Sequence, residues 1–147
     1  MIVIGGSNSK ELAEKVSNNL DCKFVTPEKK EFPDGEIYLR IPEEIQGEEA
    51  IVIQSTYYPP NRNLMELFLL LDACEDLGAE KITAVIPYLA YARQDKRFES
   101  GEAVSLRTVA KLIEESGADE VSVIDIHPQD IGEDPEVFDV PSHNLTA

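Results

Sequence analysis

The chain has 147 residues, 42% hydrophobic and 29% charged, which is the balance of an ordinary globular protein of one domain rather than a disordered segment. Thirteen basic side chains stand against 29 acidic ones, a net charge of −16. That field repels a nucleic-acid backbone, so no nucleic-acid partner is expected, although a local basic cluster with a divalent metal can still reverse the sign at one small site.

The amino-terminal segment alternates between strand and helix signals. Ile2–Ile4 reads as a buried strand, followed by Gly5-Gly6-Ser7. Asn8 lies three residues before Glu11 in a capping-box arrangement, and Leu12, Ala13, Val16 and Leu20 then form one apolar stripe of a helix. The glycine loop matches neither GxGxxG nor a Walker A loop, so a plain strand-to-helix turn is its better reading over a phosphate seat. A short strand is expected at Cys22–Val25.

Phe32-Pro33-Asp34-Gly35-Glu36 contains a turn signal, in which proline sets φ and glycine accepts a positive φ. The flanking aromatic and carboxylate also suit stacking on a base and accepting from an exocyclic amine. Glu36–Ile41 alternates as a strand with no helix before the next one, which places it in an antiparallel flap or hairpin.

Pro42–Glu49 is an acidic loop and Ile51–Ile53 a further buried strand. Asn61–Leu77 is the clearest helix, with Leu64, Leu67, Phe68, Leu71 and Cys74 on a broad apolar face and Gly78 as its stop. Ile82–Ile86 is another buried strand. The long connection from Pro87 to Glu102 concentrates Arg93, Lys96 and Arg97 within five positions. Arg93 supplies a fixed fork of donors and Gln94 neutral ones, so this segment is either a phosphate site or a solvated loop of salt bridges.

Leu106, Val109, Ala110 and Ile113 define a helix closed by Gly117, and Val121–Ile126 is the last clear strand, with a further short strand at Val137–Val140. Strand alternation through Asp125-Ile126-His127 puts Asp125 and His127 on one side. There they either share a metal or leave His127 as a hydrogen-bonded strand-end residue. The fold class is therefore α/β, a parallel sheet with helices on both faces and a small antiparallel flap. Cys22 and Cys74 match no metal spacing. With no signal peptide and no long apolar run, the chain reads as cytoplasmic, with no membrane association.

Taken in order, Phe32–Glu36, Asn63–Leu67, Val85–Tyr88, Tyr91–Lys96, Asp125–His127 and Phe138–Pro141 closely resemble the N-terminal half of ribose-phosphate pyrophosphokinase. Arg97–Ala103 is similar to the archaeal branch. The resemblance implies a phosphoribosyltransferase-like fold and Mg2+-dependent transfer of the diphosphoryl group of ATP to the 1-hydroxyl of ribose 5-phosphate, leaving AMP. By resemblance Arg93 and Gln94 contact ATP and its phosphates. Phe32, Asp34, Gly35 and Glu36 receive the adenine from a neighbouring subunit of a homo-oligomer, and His127 helps hold Mg·ATP, which makes Arg93 and His127 the catalytic pair. The loop from Pro128 to Val137 is longer than in the family, so no metal role passes to Asp125 or Asp139.

Complete members of the family have a second domain with an Asp-Asp…Thr-Gly-Gly-Thr loop for ribose 5-phosphate and a mobile Lys/Arg loop, and neither occurs in this sequence. Residues 1–147 thus correspond to the N-terminal, ATP-binding domain, expected to be inactive alone. The alternative is a non-catalytic regulatory subunit that assembles with the synthetase.

Overall fold

Buried apolar runs set the architecture. The computed structural model describes residues 1–126 and 137–147. In it β1 (Ile2–Gly5), β5 (Glu49–Ile53), β6 (Lys81–Ile86) and β7 (Glu120–Ile124) are parallel neighbours at the centre of a six-stranded sheet. β2 (Lys23–Val25) and β8 (Ser142–Leu145) close its edges, in the order β2-β1-β5-β6-β7-β8. Every pairing in this sheet is parallel.

Both faces of the sheet are covered, as a parallel sheet requires. α1 (Lys10–Leu20) lies on one side, where Val3, Ala13 and Ile53 form a small core. α2 (Pro60–Asp76) and α3 (Ser105–Glu115) cover the other, burying Leu67, Leu71, Ala110 and Ile113 against Ile4, Val52 and Ile86. The alternation is visible within β1, whose Ile2 and Ile4 face the larger core while Val3 faces the smaller. Each fully buried leucine here contributes about 2–3 kcal/mol of transfer free energy. Among the described residues no helix is long and apolar enough to cross a membrane.

A separate two-stranded antiparallel hairpin joins β3 (Glu28–Glu31) to β4 (Ile37–Arg40), with Glu28 opposite Arg40 and Glu31 opposite Ile37. This is the flap expected from the alternation of Glu36–Ile41. Its first strand, Glu28-Lys29-Lys30-Glu31, has no apolar residue and so leaves no hydrophobic trace in the sequence.

Three local expectations need correction. The capping box at Asn8 and Glu11 does not form: the N-cap is Ser9, without a side-chain cap bond, and its Oγ instead accepts from the Ser55 amide at 2.8 Å. The Asn8 amide turns to Gln54 Oε1 at 3.1 Å. β7 ends at Ile124, because Asp125 adopts φ 45° and leaves the strand. Val137–Val140 is a turn whose Phe138 is buried, and the last strand lies beyond it at Ser142–Leu145.

The glycine loop after β1 is a packed turn. A Cβ on Gly6 would stand 2.2 Å from Gln54 Oε1, in a side chain that is fully buried and already bonded to Asn8. Gly6→Ala must displace that amide. It is expected to lower the unfolding free energy by about 1–3 kcal/mol, measurable by urea denaturation.

Candidate functional site

Where β5, β6 and β7 end side by side, the loops that leave them enclose a cleft of about 680 Å3. This is the carboxyl end of a parallel sheet, the general location of ligand sites in such folds. Thr56, Tyr57, Tyr58 and Pro60 form one wall, the Tyr88–Gln94 segment a second, and Ile124 to Ile126 the floor.

Thr56 is the hinge of this arrangement. It is fully buried just beyond β5; its amide and Oγ1 both donate to the Tyr88 carbonyl, at 2.9 and 2.7 Å. Oγ1 in turn accepts from the Ala90 amide at 2.7 Å. One hydroxyl thus fixes the start of the basic segment to the strand beside it. Tyr57 and Tyr88 meet edge to face, with ring centroids 5.4 Å apart. The Tyr91 hydroxyl donates to Asn61 Oδ1 at the start of α2.

Two of the three non-glycine residues with positive φ among those described, Tyr91 at 66° and Asp125 at 45°, line this same cleft. Such backbone costs free energy of about 1–3 kcal/mol per residue and concentrates at ligand sites. At Tyr91 it lets Ala90 and Ala92 stay buried while Arg93 turns out to solvent. Among the described residues Arg93 has no hydrogen-bond or ion-pair partner, in a chain with 29 acidic side chains.

Gln94 is held from behind. Its Nε2 donates to the Lys96 carbonyl at 3.1 Å and to Glu102 Oε2 at 3.3 Å. The same carboxylate oxygen accepts the Glu99 and Phe98 amides at 2.9 and 2.8 Å, and Arg97 Nε donates to the Glu102 carbonyl at 2.9 Å. The long connection is therefore wound around Glu102. Its carboxyl is held below the usual carboxylate range, chiefly by the Glu99 amide, then by that of Phe98.

The structure brings together Arg93, Gln94 and Asp125. It does not bring Phe32, Asp34, Gly35 and Glu36 into the cleft; they form the tip of the β3–β4 hairpin, with Phe32 about half exposed. His127 lies outside the described residues. Among the described residues no three His, Cys, Asp or Glu side chains gather as a metal cluster. Thr56, Tyr57, Asn61 and Glu102 escaped the sequence reading; the Tyr57-Tyr58-Pro59-Pro60 run between a strand and a helix was the one available signal.

The family model describing the N-terminal domain of ribose phosphate pyrophosphokinase matches residues 1–117. The chain belongs to this family. Similar curated relatives include the ribose-phosphate pyrophosphokinase of Methanobrevibacter smithii, 48% identical over 99% of this chain and 48% of its own length. That of Saccharolobus solfataricus is 46% identical over 86% of this chain and 44% of its own. Among solved structures, phosphoribosylpyrophosphate synthetase from Mycobacterium smegmatis superposes with a TM-score of 0.91 at 36% identity, covering 99% of this chain and 48% of that one. The chain thus spans about half the length of the relatives it matches.

The lowered carboxyl of Glu102 sets a pH dependence. Because its folded value lies below the ordinary 4.5, the order it lends the loop is fully present above that value and is lost as pH falls through the lowered one. Protection of the Phe98 and Glu99 amides, taken relative to their intrinsic exchange rates at each pH, is expected to fall on such acidification, whereas in Glu102→Gln it is already low at neutral pH and shows no such step.

Proposed function

We propose that this chain is the nucleotide-binding half of a ribose-phosphate pyrophosphokinase. The overall reaction joins the 1-oxygen of ribose 5-phosphate to the β-phosphorus of ATP, breaks the bond from that phosphorus to the AMP oxygen, and releases AMP. The observation that carries this reading is Arg93, without a partner among the described residues, set beside Gln94 in a tyrosine-walled cleft at the carboxyl ends of three parallel strands.

In this reading the Arg93 fork engages phosphate oxygens and Gln94 adds neutral hydrogen bonds, while Tyr57 and Tyr88 line the wall of the site. Diphosphoryl transfer depends mainly on positioning and on neutralising charge, and these residues meet that need without a covalent nucleophile. The cleft offers one described carboxylate, Asp125, to a divalent cation. That suits Mg2+, which takes few protein carboxylates and is held largely by substrate phosphates. Mg2+ would supply further charge neutralisation, with His127 as a second candidate ligand. Ribose 5-phosphate binding belongs to the domain whose motifs this sequence does not contain. The exposed Phe32–Glu36 tip suits an adenine site completed between subunits of a homo-oligomer.

Calorimetric titration with Mg·ATP tests the reading. Arg93→Ala is expected to weaken binding by about ten- to a hundredfold, the worth of charged hydrogen bonds, and an unchanged affinity removes Arg93 from the site. Phe32→Ala should weaken binding in the assembled oligomer and leave an isolated subunit unaffected. Incubated with Mg·ATP and ribose 5-phosphate, this chain alone should release no AMP, and sustained release would refute the need for a second domain.

A further inference from the structure

The β3–β4 hairpin stands apart from the main sheet, and an isolated pair of four-residue strands is marginal in water. Its inward face is divided. β4 turns Ile37 and Leu39 inward, and Leu39 packs on the main core. β3 contributes no hydrocarbon core, only Lys29 and Glu31 opposite those two residues. Its other side chains face outward, where Glu28 pairs with Arg40 and Lys30 lies 5.9 Å from the Tyr38 ring.

Lys29 and Glu31 meet α2 in a defined order. Lys29 Nζ pairs with Glu66 and also donates to Ser7 Oγ at 2.9 Å. Glu66 is only 2% exposed, and both of its oxygens are used: Oε1 accepts the Ser7 amide at 2.8 Å and Oε2 the Ser7 hydroxyl at 2.6 Å. One helical turn earlier, Arg62 pairs with Glu31. Two residues along a strand rise about 6.7 Å and four along a helix about 6 Å, so the two pairs are in step. Their polarity is reversed: cation on the strand at Lys29, cation on the helix at Arg62.

Sliding the hairpin one repeat in either direction would set Lys29 beside Arg62, or Glu31 beside Glu66. Both are like-charge contacts. Apolar contact through Leu39 is non-directional and holds the hairpin near the body without setting its angle. Neither pair adds much net stability, Glu31–Arg62 because its side chains are about half exposed and Lys29–Glu66 because it is buried; the best-attested use of a buried pair is to specify register.

We propose that Lys29–Glu66 and Glu31–Arg62 are a charge-coded clamp that fixes the register and direction of the hairpin, and so aims the Phe32–Glu36 tip. The four residues are positioning residues. The clamp holds whatever the tip binds; its value for adenine recognition rests on the function proposed above.

The test reads geometry and not activity. Spin labels are placed at Glu36→Cys on the tip and Asp72→Cys on the exposed side of α2, in a Cys22→Ser chain. Burial pushes the Cys74 thiol up to about 12, which leaves it unreactive to the label. The parent should give one narrow distance distribution. Lys29→Met, which keeps the alkyl stem, and Arg62→Glu should each broaden or shift it by about twofold in width. The exchanged pair Glu31→Arg with Arg62→Glu keeps attraction at the native register but makes the strand all cationic and the helix all anionic, so it should add a second population displaced by one repeat. Unchanged distributions in both single variants overturn the proposal. So does a single narrow native distribution in the exchanged pair, since packing rather than charge would then set the register. Far-ultraviolet circular dichroism on every variant confirms that the sheet is folded. Titrating Lys29→Met with Mg·ATP separates the two readings: loss of the clamp without loss of ATP affinity in the oligomer leaves the clamp standing and removes the tip from the nucleotide site.

Discussion

The constraint on which the rest depends is the direction of the central ladder. β1, β5, β6 and β7 all run the same way and are covered on both faces, so their middles are mostly apolar and hold no charge. Charged residues are thereby displaced to the strand ends, and the carboxyl ends gather at one edge of the sheet. Thr56, Tyr88, Arg93 and Asp125, far apart in sequence, become neighbours because three strands stop together. The cleft is a consequence of parallel pairing before it is a consequence of any one residue.

Around that edge the molecule spends polar groups in two ways. Some are fully consumed by the protein: Gln54 Oε1 on Asn8, Ser9 on Ser55, and both oxygens of Glu66 on Ser7 and Lys29. These close the glycine loop after β1, so it acts as a packed joint. Others are left over, above all Arg93. In a chain of net charge −16, Arg93 is an exposed guanidinium without a carboxylate partner among the described residues.

How much of this was legible in the sequence follows from what each element owes to its own residues. The four central strands and three helices are specified by local burial patterns, and Leu64, Leu67 and Leu71 mark the α2 face directly. β3 is a strand only because β4 pairs with it; Glu-Lys-Lys-Glu has no apolar alternation to reveal it. β8, Ser142–Leu145, is a half-exposed edge for the same reason, while Phe138 draws an apolar signal from a turn that packs on the core. Arg93 and Gln94 stood out by contrast with an acidic background. Glu66 did not, since its burial is made by Ser7 and Lys29, 59 and 37 residues away.

The turn at the hairpin tip is closed by its own bonds. The Phe32 amide donates to the Glu36 carbonyl at 2.8 Å, Gly35 to Phe32 at 2.9 Å, and the Glu36 amide to Asp34 Oδ1 at 3.1 Å, with Gly35 at φ 92°. An aromatic ring on so constrained a loop has already given up most of its conformational freedom. Whatever surface it meets, the encounter forfeits little entropy, and the contact energy of the ring goes largely into affinity instead of into ordering the loop.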